Sequence, residues 1–312
     1  MAVKFGAQVS QANVEWPELL SIWQELDHSN FHSVWTMDHF VPGWLPEHAR
    51  GPCLEGWIAL AALAQATSRI RIGCLVSGVT YRHPAVLAKM ATTVDIISNG
   101  RLEFGIGAAW HEYEHQAYGI PFYTVKERQD RLEEAVQLIK ALWTATPANF
   151  RGRYYQLDNA PFLPPNVQKP HPPIMVAGGG EKRTLRTLAR YGDVMNVGGS
   201  PQTVLHKTEV MKAHCQDVGR DPAEIRLTIQ VPLFLTDDRS FVERAVLGTA
   251  AYANTTPEEA RKGMLAGSVE EVKADVQRFI DVGVEEIILA QFPRVHMAAL
   301  RRFSEDVIPA FG

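Results

Sequence analysis

The chain has 312 residues, is 46% hydrophobic and 21% charged, and carries a formal net charge of −4. Such a length and apolar content support a substantial core, and the mildly acidic balance argues against a nucleic-acid protein, which would show a basic patch. Cys53, Cys74 and Cys215 are widely spaced with no CxxC, which excludes a disulfide framework or a cysteine-rich zinc module and fits a reducing cytoplasm.

Strand-like and helix-like segments alternate. VKFGAQVS (3–10) reads as an apolar strand, and residues 16–29 as a helix through Leu19, Ile22, Trp23 and Leu26. SVWTMD (33–38) is a second strand, followed by an Ala- and Leu-rich helix (54–67). RIRIGCLVS (69–77) is the third strand, and the helix over 83–98 starts at Pro84 and stops at Asn99-Gly100. RLEFGIGAA (101–109) is the fourth strand, and 127–143 is an amphipathic helix through Leu132, Val136 and Ile139. PPIMVAGG (172–179), DVMNVGG (193–199), EIRLTIQVPLFLT (224–236) and VEEIILAQF (284–292) are strands five to eight. Helices are expected over 181–192, 203–219, 268–283 and 296–311, the third carrying Ser268 and Glu271 at capping-box spacing.

Eight strand–helix units in one series imply a parallel sheet, and their length fits a (β/α)8 TIM barrel of about 250 residues better than an open doubly wound sheet. The expectation is one α/β domain over 1–312, with insertions after strands four (110–126) and seven (237–267) and a further surplus before strand five (145–171). Within that surplus, PFLPPNVQKPHPP (161–173) is too proline-rich for a helix or inner strand and reads as an ordered extended loop. The N-terminus lacks a signal-peptide core, and no run of about 18 apolar residues is present, so neither secretion nor a membrane span is expected.

Barrel active sites lie at the C-terminal strand ends. Those ends offer Gln8, Asp38-His39, Leu75 to Ser77, Gly107 to Trp110, Gly178 to Gly180, Gly198-Gly199, Gln230 and Gln291. Asp38 and His39 form a titratable pair at the mouth, since His exchanges protons near neutrality. The plainer alternative is that Asp38 caps a turn and His39 is a satisfied rim residue. Gly178, Gly179 and Gly180, with Lys182 and Arg183 following, suggest a backbone cradle for phosphate at a helix start, although a glycine-rich turn without a ligand is common. Residues 111–115, HEYEH, match the zinc motif HExxH, but the segment has room for barely two turns and no third ligand is evident. No metal is expected; His111 and His115 read instead as rim residues of a substrate pocket. Trp44, Trp110, Tyr113 and Tyr118 supply aromatic surface for a flat apolar substrate, and Trp57 reads as core.

FHSVWTMDHF, the stretch TSRIRIGCLVSGVTYRHPAVLAKMATTVDIISNGRLEFGIGAAWHEYEHQAYGIPF, and PPIMVAGGGEKRTLRTLARYGDVMNV resemble the bacterial-luciferase-like superfamily of flavin and deazaflavin enzymes. The likeness spans almost the whole chain, and it is greatest for the branch using coenzyme F420. The resemblance implies a (β/α)8 barrel with the cofactor ring over the strand ends. It implies that Asp38 and His39 contact the deazaflavin, His39 as candidate proton donor. It implies a strand-three bulge with a non-prolyl cis peptide at about Cys74-Leu75 and Ser77 beside the cofactor. Ala177 to Lys182 match the family's phosphate-binding turn, and Ala108, where bacterial luciferase carries Arg, borders the cofactor. Members are commonly homodimers. The expected function is therefore a cytoplasmic F420-dependent oxidoreductase, transferring hydride between the C5 carbon of the deazaflavin and a small organic substrate. The alternatives are an FMN-dependent monooxygenase and a flavin-binding protein without catalysis.

Overall fold

A computed structural model describes residues 2–43, 49–291 and 294–312. Eight parallel strands close on themselves: β1 (Lys4–Val9), β2 (Ser33–Thr36), β3 (Arg71–Gly78), β4 (Leu102–Gly107), β5 (Ile174–Ala177), β6 (Val194–Val197), β7 (Arg226–Leu235) and β8 (Glu286–Gln291). Closure runs through β6 with β7 (Val194 opposite Arg226) and β8 with β1 (Glu286 opposite Lys4). The chain is the α/β barrel its strand–helix alternation implies.

Helices cover the outside. They include α1 (Trp16–Asp27), α2 (Gly56–Ala66), α3 (Pro84–Ile97), α4 (Glu112–Ala117), α5 (Val125–Thr144), α6 (Thr184–Tyr191), α7 (Pro201–Asp217), α8 (Arg239–Ala253), α9 (Pro257–Lys262), α10 (Val269–Ile280) and α11 (Met297–Arg302). Their apolar stripes face the strands: α1 buries Leu19, Ile22, Trp23 and Leu26, and α5 buries Leu132, Val136 and Ile139. The Ser268–Glu271 capping box starts α10.

Inside the barrel, the middle layer is Trp35, Leu75, Met175, Val194 and Ile288. Gly73 makes room for the Trp35 ring, which its Cβ would strike. Below that layer lies an ionic network: Glu103 binds Arg71 at 2.6 Å and Arg226 at 2.7 Å, and Glu286 accepts from Ser33 at 2.5 Å.

Three segments depart from the expected layout. The stretch 145–171 contains an antiparallel hairpin, Ala148–Arg151 with Gln156–Ala160. Residues 237–267 hold α8, α9 and a short strand, Leu265–Gly267, which pairs with the overhanging end of β7. The last segment is broken into α11 and two tighter or wider turns rather than one helix.

Candidate active site

The C-terminal strand ends surround a cavity of about 540 Å³. Asp38, His39, Leu75, Ser77, Ala108, Trp110, Ala177, Gly178, Gly179 and Gly180 all line it, as do Gln8 and Gln230. Trp44 lies outside the described residues.

The Asp38-His39 pair is fixed from both sides. Gln11 clamps the preceding residue: its amide donates to the Met37 carbonyl at 2.7 Å, and its oxygen accepts from the Met37 N–H at 3.1 Å. Asp38 is buried, and its Oδ2 accepts from the Gly78 N–H at 2.9 Å and from Arg82 at 2.8 Å. Arg82 also binds Glu55. Burial pushes the Asp38 carboxyl up, with Arg82 opposing. Asp38 Oδ1 is buried with no partner among the described residues, so a cavity-lining residue holds an acceptor that they leave unsatisfied.

His39 Nδ1 lies 2.9 Å from Oε2 of Glu114, which is fully buried. Glu114 also accepts from the Phe40 N–H, from the Val41 N–H at 3.1 Å and from the Tyr81 hydroxyl. Burial raises the Glu114 carboxyl, but the bonds from His39, Tyr81 and Phe40 outweigh it and hold the group below its usual range. Burial and the same contact push the Tyr81 phenol up. An ionised Glu114 sets the tautomer of His39: Nδ1 carries the hydrogen it donates, which leaves Nε2 as a proton acceptor. The His39 ring packs against Trp110, with centroids 5.7 Å apart.

The wall opposite is a bulge in β3. Cys74 pairs with Phe104, but the next partners are Ser77 and Ile106, so β3 carries an extra residue. The Leu75-Val76 peptide, within the bulge, is cis, one position beyond the expected Cys74-Leu75. Gly105 leaves space here: its Cβ would meet the Cys74 carbonyl at 2.6 Å and Val76 Cγ1 at 2.7 Å. Ser77 accepts from the buried Trp57 indole at 3.0 Å.

Past β5, Gly178 adopts φ +120° and starts a glycine turn. Helix α6 begins at Thr184 rather than Glu181, because Glu181 is held by Lys207 at 2.5 Å and His206 at 3.0 Å. The cation beside the turn is Lys207, whose Cε lies 3.5 Å from where a Gly179 Cβ would stand.

Several expected site residues do not line the cavity. Cys74 is fully buried in the packed core behind the bulge. Lys182 is exposed and does not line the cavity. His111 is buried and caps α4, with Nδ1 accepting from the Glu114 N–H at 3.3 Å and Nε2 3.1 Å from the Gly43 carbonyl. Tyr113 is half-buried beside it. His115 is likewise buried, bonded to Thr80 at 2.7 Å and to the His111 carbonyl at 2.8 Å. Both imidazoles of HEYEH thus brace the loop, and Glu114, its fourth residue, reaches the site. Glu114, Tyr81 and Arg82 hold the Asp38-His39 pair, and sequence reasoning missed them. The signal for Glu114 lay inside the zinc-like motif, and that for Arg82 in its place just before the α3 cap.

The sequence model of the luciferase-like monooxygenase family matches residues 1–301. The chain belongs to that family. This luciferase-like chain is 27% identical to an F420-dependent glucose-6-phosphate dehydrogenase of Amycolatopsis mediterranei (strain U-32), over 98% of each chain. It is 29% identical to an F420-dependent hydroxymycolic acid dehydrogenase of Mycobacterium tuberculosis (strain ATCC 25618 / H37Rv), covering 89% of this chain and 77% of that one. Among solved structures, an F420-dependent secondary alcohol dehydrogenase in complex with an F420-acetone adduct superposes with a TM-score of 0.88 over 100% of both chains, at 22% identity. At that identity the luciferase-like fold is what the two share.

Proposed function

We propose that this luciferase-like protein is an F420-dependent oxidoreductase, interconverting an alcohol and a carbonyl compound by hydride transfer. The observation that carries the reading is the near full-length similarity to F420-dependent dehydrogenases. The cavity residues fit the group: Asp38 Oδ1 is a buried acceptor lacking a partner, and the glycine turn after β5 presents backbone for a phosphate. When bound, a deazaflavin carries hydride at its C5 carbon.

The chain's own residues then divide the work. Asp38, anchored by Arg82 and Gly78, would accept a hydrogen bond from a deazaflavin. Leu75 to Ser77 of the β3 bulge would line its site, and Ala177 to Gly180, with Lys207 beside the turn, would hold a phosphate. In alcohol oxidation, His39 Nε2 accepts the hydroxyl proton while the carbinol C–H bond breaks, its electron pair leaving with hydrogen as hydride. The C=O bond forms from the O–H pair. Glu114 holds His39 in position through Nδ1. Carbonyl reduction is the same step reversed. Trp110, 53% exposed at the rim, covers the substrate side.

The test is anaerobic bleaching of F420 absorbance by protein plus a secondary alcohol. Bleaching that needs the protein supports the reading. Oxygen uptake with reduced FMN, and no bleaching, would establish the FMN monooxygenase that the family's description also allows.

No helix among the described residues is long and apolar enough to cross a membrane. Three free cysteines support a cytoplasmic site. Residues 1–312 are read as one domain. Exposed Ile58 (70%) and Val86 (54%), on the neighbouring α2 and α3, support a homodimer. Sedimentation at twice the 34.7 kDa chain mass is expected, and a monomer at micromolar concentration would refute it.

A further inference from the structure

A second cavity of about 800 Å³ adjoins the first. It lies between the ends of β7 and β8 and the insertion helices α8 and α9, and Gln8, Gln230 and Tyr252 line both cavities. Gln230 donates to Gln8, and Gln8 donates to the Leu75 carbonyl at 3.0 Å, so a shared polar sill connects the two. Beyond it the walls are apolar: Pro232, Leu233, Phe234, Ala245 and Ala260. Its size is that of a ligand pocket, roughly 300–1,000 Å³.

No Lys or Arg lines either cavity among the described residues, and the undescribed stretches 44–48 and 292–293 contain neither. Among the described residues, the ionisable side chains lining the second cavity are Glu259, which is tied to Lys262 at 2.8 Å, and His296. Helix α7 also starts here, but its Thr203 N–H is already capped by Ser200, and a Cβ on Gly263 would stand 3.2 Å from the Gly199 backbone. A dianionic substrate would therefore enter a largely apolar chamber with Glu259 in its wall and no Lys or Arg to pair with, His296 being its one imidazole among the described residues, which is unfavourable.

We infer that the substrate of this chain is an uncharged alcohol or ketone with an extended apolar body. Its reacting carbon stands near His39, and its body fills the chamber under α8 and α9. This rests on the F420 reading for the reaction but not for the binding. A sugar phosphate is excluded as substrate, although relatives of this chain are named for one.

The test is calorimetric titration of the protein, with and without F420, using acetone, 2-hexanone, 2-octanone and glucose 6-phosphate. Affinity should rise about fourfold for each added methylene, the usual gain for burying one. Glucose 6-phosphate should not bind at millimolar concentration. Ala245→Phe, which fills the chamber from α8, should abolish the chain-length gain and leave acetone affinity within about twofold. An Ala245→Ser control should retain the gain, which separates blocking from misfolding. Equal affinity across the ketone series, or tighter binding of glucose 6-phosphate, would overturn the inference. If ketones bind in graded fashion but F420 does not, the chamber stands and the cofactor reading fails. Binding of F420 without graded ketone binding is the reverse case.

Discussion

His39 and Glu114 act as a unit, so their variants should separate chemistry from binding. His39→Ala is expected to cut turnover roughly 10²–10⁴-fold, the range for general acid–base catalysis, while F420 affinity stays within several-fold. Glu114→Gln should lower turnover on the order of 10²-fold or more, because an amide facing Nδ1 favours the wrong imidazole tautomer. A purely structural Glu114 would instead lower stability and leave the turnover of the folded fraction unchanged. Glu114 also predicts a pH dependence. Its folded-state pKa lies below the ordinary 4.5, so the ionised group stabilises the fold above that pH. That contribution is lost as pH falls through the lower value, and Glu114→Gln should flatten the acid limb of a Tm–pH profile. Asp38 and His39 were legible because a strand that ends in two titratable residues is odd within one local stretch. Glu114 and Arg82 were not, since each reaches the pair from far along the chain, 75 residues in the case of Glu114 and His39.

At the element scale, the β3 bulge and β4 are matched surfaces. Gly105 faces the Cys74 carbonyl and Val76, so a methyl group there has nowhere to go. Gly105→Ala should cost about 1–3 kcal/mol, in the manner of an overpacked core, and weaken F420 binding because the bulge must move. Thermal unfolding and fluorescence titration read both effects, and an unchanged Kd would detach the bulge from the cofactor. Most elements were readable: α1 and α5 carry clean apolar stripes, and α10 announces its start with a capping box. The hairpin at 148–160 was hidden because ANFR is only four residues long and QLDNA breaks its alternation at Asp158-Asn159. The late start of α6 was hidden because Lys207 and His206, from the next helix, hold Glu181 outside it.

Across the whole molecule, stability and chemistry occupy opposite barrel ends. The lower end buries Glu103, Arg71, Arg226 and Glu286 as one network, and burial with nearby cations pulls His32 down to about 4. The upper end gathers the loops, and the two cavities meet there at Gln8 and Gln230. Eight repeating units made the closed barrel legible, because closure follows from the number of units. The chamber under α8 and α9 was not, because its walls come from an insertion with no repeat to compare. The claim that the upper end holds a deazaflavin is tested most directly by paired fluorescence titrations of purified protein with oxidised F420 and oxidised FMN. The account predicts micromolar or tighter binding of F420 and at least about tenfold weaker binding of FMN, a difference of about 1.4 kcal/mol. Preferential binding of FMN would contradict it.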